Sequence, residues 1–179
     1  MSLERWWAGW RLDYIRKAFA SGGDLDLETD LDPDDDGRSL FERILHSGEP
    51  DEATYILTRG ELTFALLNAY PYNSGHLMVL PNRAVPDLNS LTADEATELW
   101  ATVHDAVAAI EAAYEPEGVN VGANLGKGAG AGVPGHLHVH CLPRWGGDTN
   151  FMTSSAETRV LPEALDVTWR RLRDAWPDR

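Results

Sequence analysis

Three histidines, His136, His138 and His140, alternate with Leu137, Val139 and Cys141 in the stretch GVPGHLHVHCLPR, residues 132–144. Successive side chains of a strand point to opposite faces, so this alternation predicts a strand with all three imidazoles on one side and an apolar row on the other. Neighbouring imidazoles would then lie roughly 6.5–7 Å apart along the strand. Three chemistries are open to such a row. His-x-His can give a metal two ligands on one face, with His76 as a third, although Leu142, Pro143, Arg144 and Trp145 follow where a glutamate would complete a cupin-like set. The imidazoles can simply be hydrogen-bonded inside a core. Or a neutral imidazole nitrogen can attack phosphorus and form a phosphoramidate, dividing one hard displacement into two easier ones.

The third chemistry makes two demands. The other ring nitrogen must carry its proton in a fixed hydrogen bond. Donors must also face the non-bridging oxygens, where charge collects in the transition state. Flanking histidines can meet both. The run ahead of them holds Gly126, Gly128, Gly130, Gly132 and Gly135. Such a run exposes backbone N–H groups with no Cβ in front of a phosphate. It is not a Walker motif: Gly128 follows Gly126-Lys127 where Ser or Thr is needed, Val121 stands in place of the first glycine, and a strand follows instead of a helix.

The elements around the row read as α+β. SLFERILH, residues 39–46, predicts a short helix. Residues 55–58 and 62–67 predict strands about a turn at Arg59-Gly60. The turn-rich loop NAYPYNSG, residues 68–75, leads to the strand HLMVL, residues 76–80, an antiparallel neighbour of the one before it. Thr92-x-x-Glu95 is a capping box opening a long helix. Its apolar stripe is Ala96, Leu99, Trp100, Val103, Val107, Ile110 and Tyr114, with His104 off the stripe as a surface residue. Residues 119–124, VNVGAN, predict a strand entering the glycine loop. A last helix is expected to open at Pro162 in its first turn and to present Leu165, Trp169, Leu172 and Trp176. Paired strands with two principal helices predict an antiparallel sheet covered by helices on one side.

Composition bounds the rest. The 179 residues suffice for one domain with a sizeable core. No apolar run approaches the roughly 20 residues that span a bilayer, so no membrane association is expected. The N-terminus lacks a signal-peptide pattern, and the single cysteine, Cys141, cannot form an intrachain disulfide; both agree with a cytoplasmic location. The net charge of −14 argues against a nucleic-acid partner while leaving room for a small anion in a local site. Residues 24–36 hold eight acidic side chains and read as a solvated connector; they lack the glycine and final glutamate of an EF-hand. Residues 4–20, with three tryptophans and four basic residues, read as an oligomer contact or a cover on the core.

The chain resembles the histidine triad (HIT) superfamily. The motif His136-Leu-His138-Val-His140-Cys-Leu142 has its pattern, NAYPYNSGHLMVLP at residues 68–81 looks like its nucleotide-binding segment, and the strand at Asn120-Val-Gly122 and the extension PRWGGDTNFM also match. That extension, with WAGWRLDYI near the N-terminus, is most similar to bacterial members of the Fhit-like branch acting on diadenosine tetraphosphate, phosphorylases among them. The resemblance implies a HIT domain at residues 39–155 with a sheet of about five antiparallel strands and a long central helix. Residues 1–38 would form an arm and connector, and residues 156–179 a C-terminal helix on the same domain. It implies His138 as the nucleophile on an α-phosphate, His140 bonding the phosphate or the leaving oxygen, His136 orienting, and His76 supporting from the upstream segment. Asn68 would hold ribose, and Asn120 or Asn124 a phosphate. Gly132 and Val133 stand where the family often has Gln and Ser or Thr, so their backbone N–H groups would serve as anion donors. Many relatives carry a structural zinc on Cys-x-x-Cys and a later histidine. The matching positions here are Ser39, Glu42 and Ala84, so no structural zinc and no cofactor are expected. The resemblance also implies a homodimer, which the tryptophan-rich N-terminus could extend to a tetramer.

Overall fold

A computed structural model describes residues 37–148 and 163–178. The chain divides at Gly37, and the unit beginning at Arg38 is the one described here. The tryptophan-rich segment, the acidic connector, Pro162 and the end of the PRWGGDTNFM extension lie outside the described residues.

Five antiparallel strands form one sheet in the order β1-β2-β3-β5-β4. They are β1 (Ile56–Arg59), β2 (Thr63–Leu67), β3 (Leu77–Pro81), β4 (Gly118–Gly122) and β5 (Val139–Arg144). Helix α1 (Leu40–Leu45) and the single turn α2 (Asp51–Thr54) precede β1, the long α3 (Ala93–Tyr114) links β3 to β4, and α4 (Leu165–Asp174) follows β5. The expected α+β fold is present. The strand boundaries shift by one or two residues. The larger differences are at β4, which ends at Gly122 rather than at Asn124, and at β5, whose ladder starts at Val139. His136 and His138 lie just ahead of it, in a segment pinned by Leu137 N–H on the Val85 carbonyl (2.6 Å). The last helix runs Leu165–Asp174, with Ala164 at its N-cap position.

Alternation builds two cores on the two sides of this sheet. Leu137, Val139 and Cys141 join Leu57, Ala65, Leu67, Leu77 and Val79 under α3 and α4. The opposite side holds a smaller cluster, Phe41, Leu45, Ile56, Phe64, Leu66, Met78 and Leu80. The register places Met78 opposite His140 and Gly122 also opposite His140, so the histidines belong to this second side.

The capping box at Thr92 forms as expected, with Glu95 accepting from the Thr92 N–H (2.8 Å) and the Thr92 hydroxyl accepting from the Glu95 N–H (3.2 Å). Glu95 also receives Arg83, which ties the loop after β3 to the start of α3. The apolar stripe is narrower than its spacing suggests. Leu99, Val103, Ala106, Ala109 and Ile110 are buried, whereas Trp100 is 52% exposed. Small alanines let α3 approach the sheet, and Trp100 falls beside that contact rather than within it. From α4, Leu172 is buried in the helix-side core, and Leu165, Trp169 and Trp176 pack against it. Trp169 Nε1–H donates to the Ile56 carbonyl (2.8 Å) and Arg173 to the Leu57 carbonyl (2.6 Å).

Candidate active site

Three of the imidazoles are withdrawn from water. His136 is fully buried, His138 is 6% exposed and His76 is 1% exposed, while His140 is half-buried. Buried polar groups must find partners, and those partners here fix each ring's tautomer.

His138 Nδ1 lies 2.8 Å from the His136 carbonyl. A carbonyl only accepts, so Nδ1 carries the proton and Nε2 keeps its lone pair. His136 Nε2 lies 2.9 Å from the Pro81 carbonyl, so by the same logic its proton is on Nε2. Its Nδ1 faces the Ser39 hydroxyl at 2.6 Å. His76 Nδ1 accepts the backbone N–H of Tyr72 (3.1 Å), which leaves its Nε2–H to donate to His140 Nδ1 at 3.0 Å. His140 therefore presents Nε2–H outward. The His138 and His140 rings are 5.1 Å apart and nearly perpendicular. One exposes a lone pair and the other a donor.

Electrostatics keep the row neutral. Burial lowers the pKa of His136, with the Pro81 hydrogen bond and the Glu42 charge opposing it. Burial also lowers His138, against its bond to the His136 carbonyl. His140 falls to about 4, through burial first and the proximity of His138 second. At neutral pH the lone pair on His138 Nε2 is not lost to a proton.

The other sequence-derived candidates are distributed unevenly around the row. Asn68 sits at the loop start, its Oδ1 accepting from the Tyr70 N–H (2.9 Å); its Nδ2 lies 3.5 Å from His76 Nε2, a donor facing a donor and so no hydrogen bond. Asn120 lies on the histidine side of β4, where Arg144 donates to its Oδ1 (2.7 Å). Arg144 is itself clamped by Asp148, which raises its pKa. Asn124 follows the end of β4 at a partly buried position. Val133 packs against the Phe41 cluster, and its carbonyl accepts from the His136 N–H (3.2 Å). Gly132 is exposed. Among the described residues, chain neighbours aside, no atom stands within 4 Å of where a Cβ at Gly126, Gly128, Gly130, Gly132 or Gly135 would be, and all five glycines are exposed.

The three positions aligned with zinc ligands do come together, but not as a donor set. Glu42 accepts the backbone N–H groups of Ser39 (2.8 Å) and Ala84 (3.0 Å), the Ser39 hydroxyl is on His136, and Ala84 has no side-chain donor. Among the described residues no group of three or more His, Cys, Asp or Glu is arranged to hold a metal. These residues do not fit a structural zinc.

The HIT domain profile matches residues 49–147. The chain belongs to the HIT family. It is 40% identical over 174 residues to an AP-4-A phosphorylase of Mycobacterium tuberculosis, covering 97% of this chain and 85% of that protein. A bifunctional bis(5'-adenosyl)-triphosphatase/adenylylsulfatase FHIT of Arabidopsis thaliana is 38% identical over 87 residues, 49% of this chain and 48% of its own. Among solved structures, a zinc-bound HIT family protein of Mycobacterium smegmatis superposes with a TM-score of 0.61 at 26% identity, covering 75% of this chain and 90% of that one. The HIT motif thus accounts for His136, His138 and His140. It does not mark Ser39, Glu42, Pro81, Arg144 or Asp148, which the structure joins to the site. Ser39-Leu-Phe-Glu42 does carry a readable signal, the Ser-x-x-Glu of a capping box ahead of an apolar pair.

Proposed function

We propose that this HIT-family enzyme cleaves the phosphoanhydride of a dinucleoside polyphosphate, such as diadenosine tetraphosphate, through a nucleotide bonded to His138 Nε2. The observation that carries the reading is the hydrogen bond from His138 Nδ1–H to the His136 carbonyl, which leaves Nε2 unprotonated in a buried, neutral setting. Attack of that lone pair on the α-phosphorus forms the N–P bond as the bond to the bridging oxygen breaks, and the remaining polyphosphate departs. His140 Nε2–H donates to a phosphate oxygen as charge develops there. An acceptor oxygen then attacks the same phosphorus and restores the free imidazole. With inorganic phosphate as acceptor, diadenosine tetraphosphate gives ATP in the first step and ADP in the second. With water the second product is AMP. The similarity to a protein named AP-4-A phosphorylase supports phosphate.

Ser39, Glu42 and His136 are engaged with one another, which supports chemistry without a cofactor or structural zinc. The exposed strand β4 at the sheet edge, with Val121 42% exposed, supports a homodimer. Among the described residues no helix is long and apolar enough to cross a membrane, and a cytoplasmic site of action is part of the proposal.

Incubation with diadenosine tetraphosphate, with and without phosphate and in chelator, tests the reading. ADP plus ATP formed only with phosphate, and a nucleotide recovered on His138 after acid-free quenching, are expected. Product formed with no nucleotide on the protein overturns the covalent route. No mononucleotide after prolonged incubation would make the chain a binding module, and loss of activity in chelator would make it a metal enzyme.

A further inference from the structure

Ser39 is 97 positions from His136 in sequence, yet its Oγ sits 2.6 Å from His136 Nδ1. Because the Pro81 carbonyl takes the proton of His136 Nε2, Nδ1 is an acceptor, and the hydrogen in the short contact must come from the serine hydroxyl. The same Oγ accepts the Glu42 N–H (3.2 Å), and the Glu42 carboxylate returns a bond to the Ser39 N–H (2.8 Å) while also holding the Ala84 N–H (3.0 Å). The hydroxyl is thereby constrained on its acceptor side, and its one hydrogen is directed at His136. His136 in turn offers its main-chain oxygen to His138 Nδ1–H at 2.8 Å.

We infer that Ser39 is a positioning residue for the proposed nucleophile: the N-cap of α1 donates to His136 Nδ1, and so fixes the residue whose carbonyl aims His138. Both nitrogens of the His136 ring are then anchored, one by α1 and one by the end of β3. The packing agrees. Phe41, the second residue of α1, has its ring edge-on to His136 at 5.4 Å and 5.6 Å from His138. Glu42 acts one step further back, holding both the cap and the chain leaving β3. The role concerns geometry at the transition state rather than substrate affinity, so it acts on kcat and leaves KM alone. This inference rests on His138 being the nucleophile.

The test separates the hydroxyl from the cap. Ser39→Gly keeps most of the capping preference but removes the donor, and Ser39→Thr keeps both. With diadenosine tetraphosphate and phosphate, Ser39→Gly should lose about tenfold in kcat with KM within about twofold, and Ser39→Thr should recover to within about twofold of the unaltered enzyme. Nitrogen-15 NMR of the unaltered protein's histidines should show His136 protonated on Nε2 with a hydrogen-bonded lone pair on Nδ1. That spectrum decides the matter even if Ser39→Gly fails to fold: a proton on Nδ1 overturns the inference. An inactive His138→Asn beside a Ser39→Gly with unchanged kcat overturns the positioning role and leaves the nucleophile standing. A His138→Asn that still turns over removes the nucleophile assignment and this role with it.

Discussion

The two sides of the sheet are built from one stretch of chain and obey different rules. On the helix side, Leu137, Val139 and Cys141 are buried in a cluster of apolar side chains, where burial of carbon is favourable and non-directional. On the other side, His136 and His138 are buried almost as deeply, but each imidazole brings polar atoms that cost free energy unless paired. That side is organised by directed bonds to Ser39, Pro81 and the His136 carbonyl, with Phe41 and Met78 filling the space between. The comparison teaches that substitutions on the helix side should cost stability and those on the histidine side should cost rate.

The sharpest break of that contrast is His138→Asn, which should lower kcat by at least about a thousandfold while nucleotide binding persists; single-turnover assay with a binding isotherm checks both halves. Next, His140→Ala should cost about a hundredfold in kcat, since it withdraws one donor from the developing charge. If KM rises instead while kcat holds, His140 serves binding alone. On the opposite side, Val139→Ala should destabilise by about 2 kcal/mol in denaturant unfolding and leave kcat of the folded enzyme within about twofold; a large rate loss without a stability loss would dissolve the distinction. The pH profile sharpens it further. Protonation of His138 removes the lone pair, so kcat/KM falls as pH falls, and because burial depresses His138 and brings His140 to about 4, the acid limb should lie below the ordinary histidine value near 6.5. The linkage has the same sign: the unfolded chain takes up protons below that value before the folded one does, so stability also declines toward acid. An acid limb at or above about 6.5 would contradict this. The smallest effect is expected from His104→Ala, whose side chain is 81% exposed on α3, within about 0.5 kcal/mol of the parent and without effect on rate.

Much of this contrast was legible in the sequence, and the parts that were not have physical reasons. Alternation in HLHVHC assigns each side chain to its face, because a period of two needs no tertiary information. The Thr92 box marks the long helix for a similar local reason. Trp100 shows the limit: helical spacing placed it on the stripe, but small alanines at 106 and 109 take that contact and Trp100 remains exposed. The tautomers were not readable, because they depend on the Pro81 and His136 carbonyls and the Tyr72 N–H, backbone groups that every residue carries. Ser39 and Glu42 were legible as departures from a zinc-binding pattern, yet their partnership with His136 is a contact across 97 positions that only the fold supplies.

One consequence follows from the side chains of α4 that reach β1. The indole of Trp169 and the guanidinium of Arg173 already occupy the carbonyls of Ile56 and Leu57, so that margin is a poor template for a further strand, whereas β4 forms the opposite margin and, among the described residues, is largely exposed. Copies that joined margin to margin through β4 would each be left presenting the margin that α4 already engages, and growth would halt at two rather than run on into a fibre.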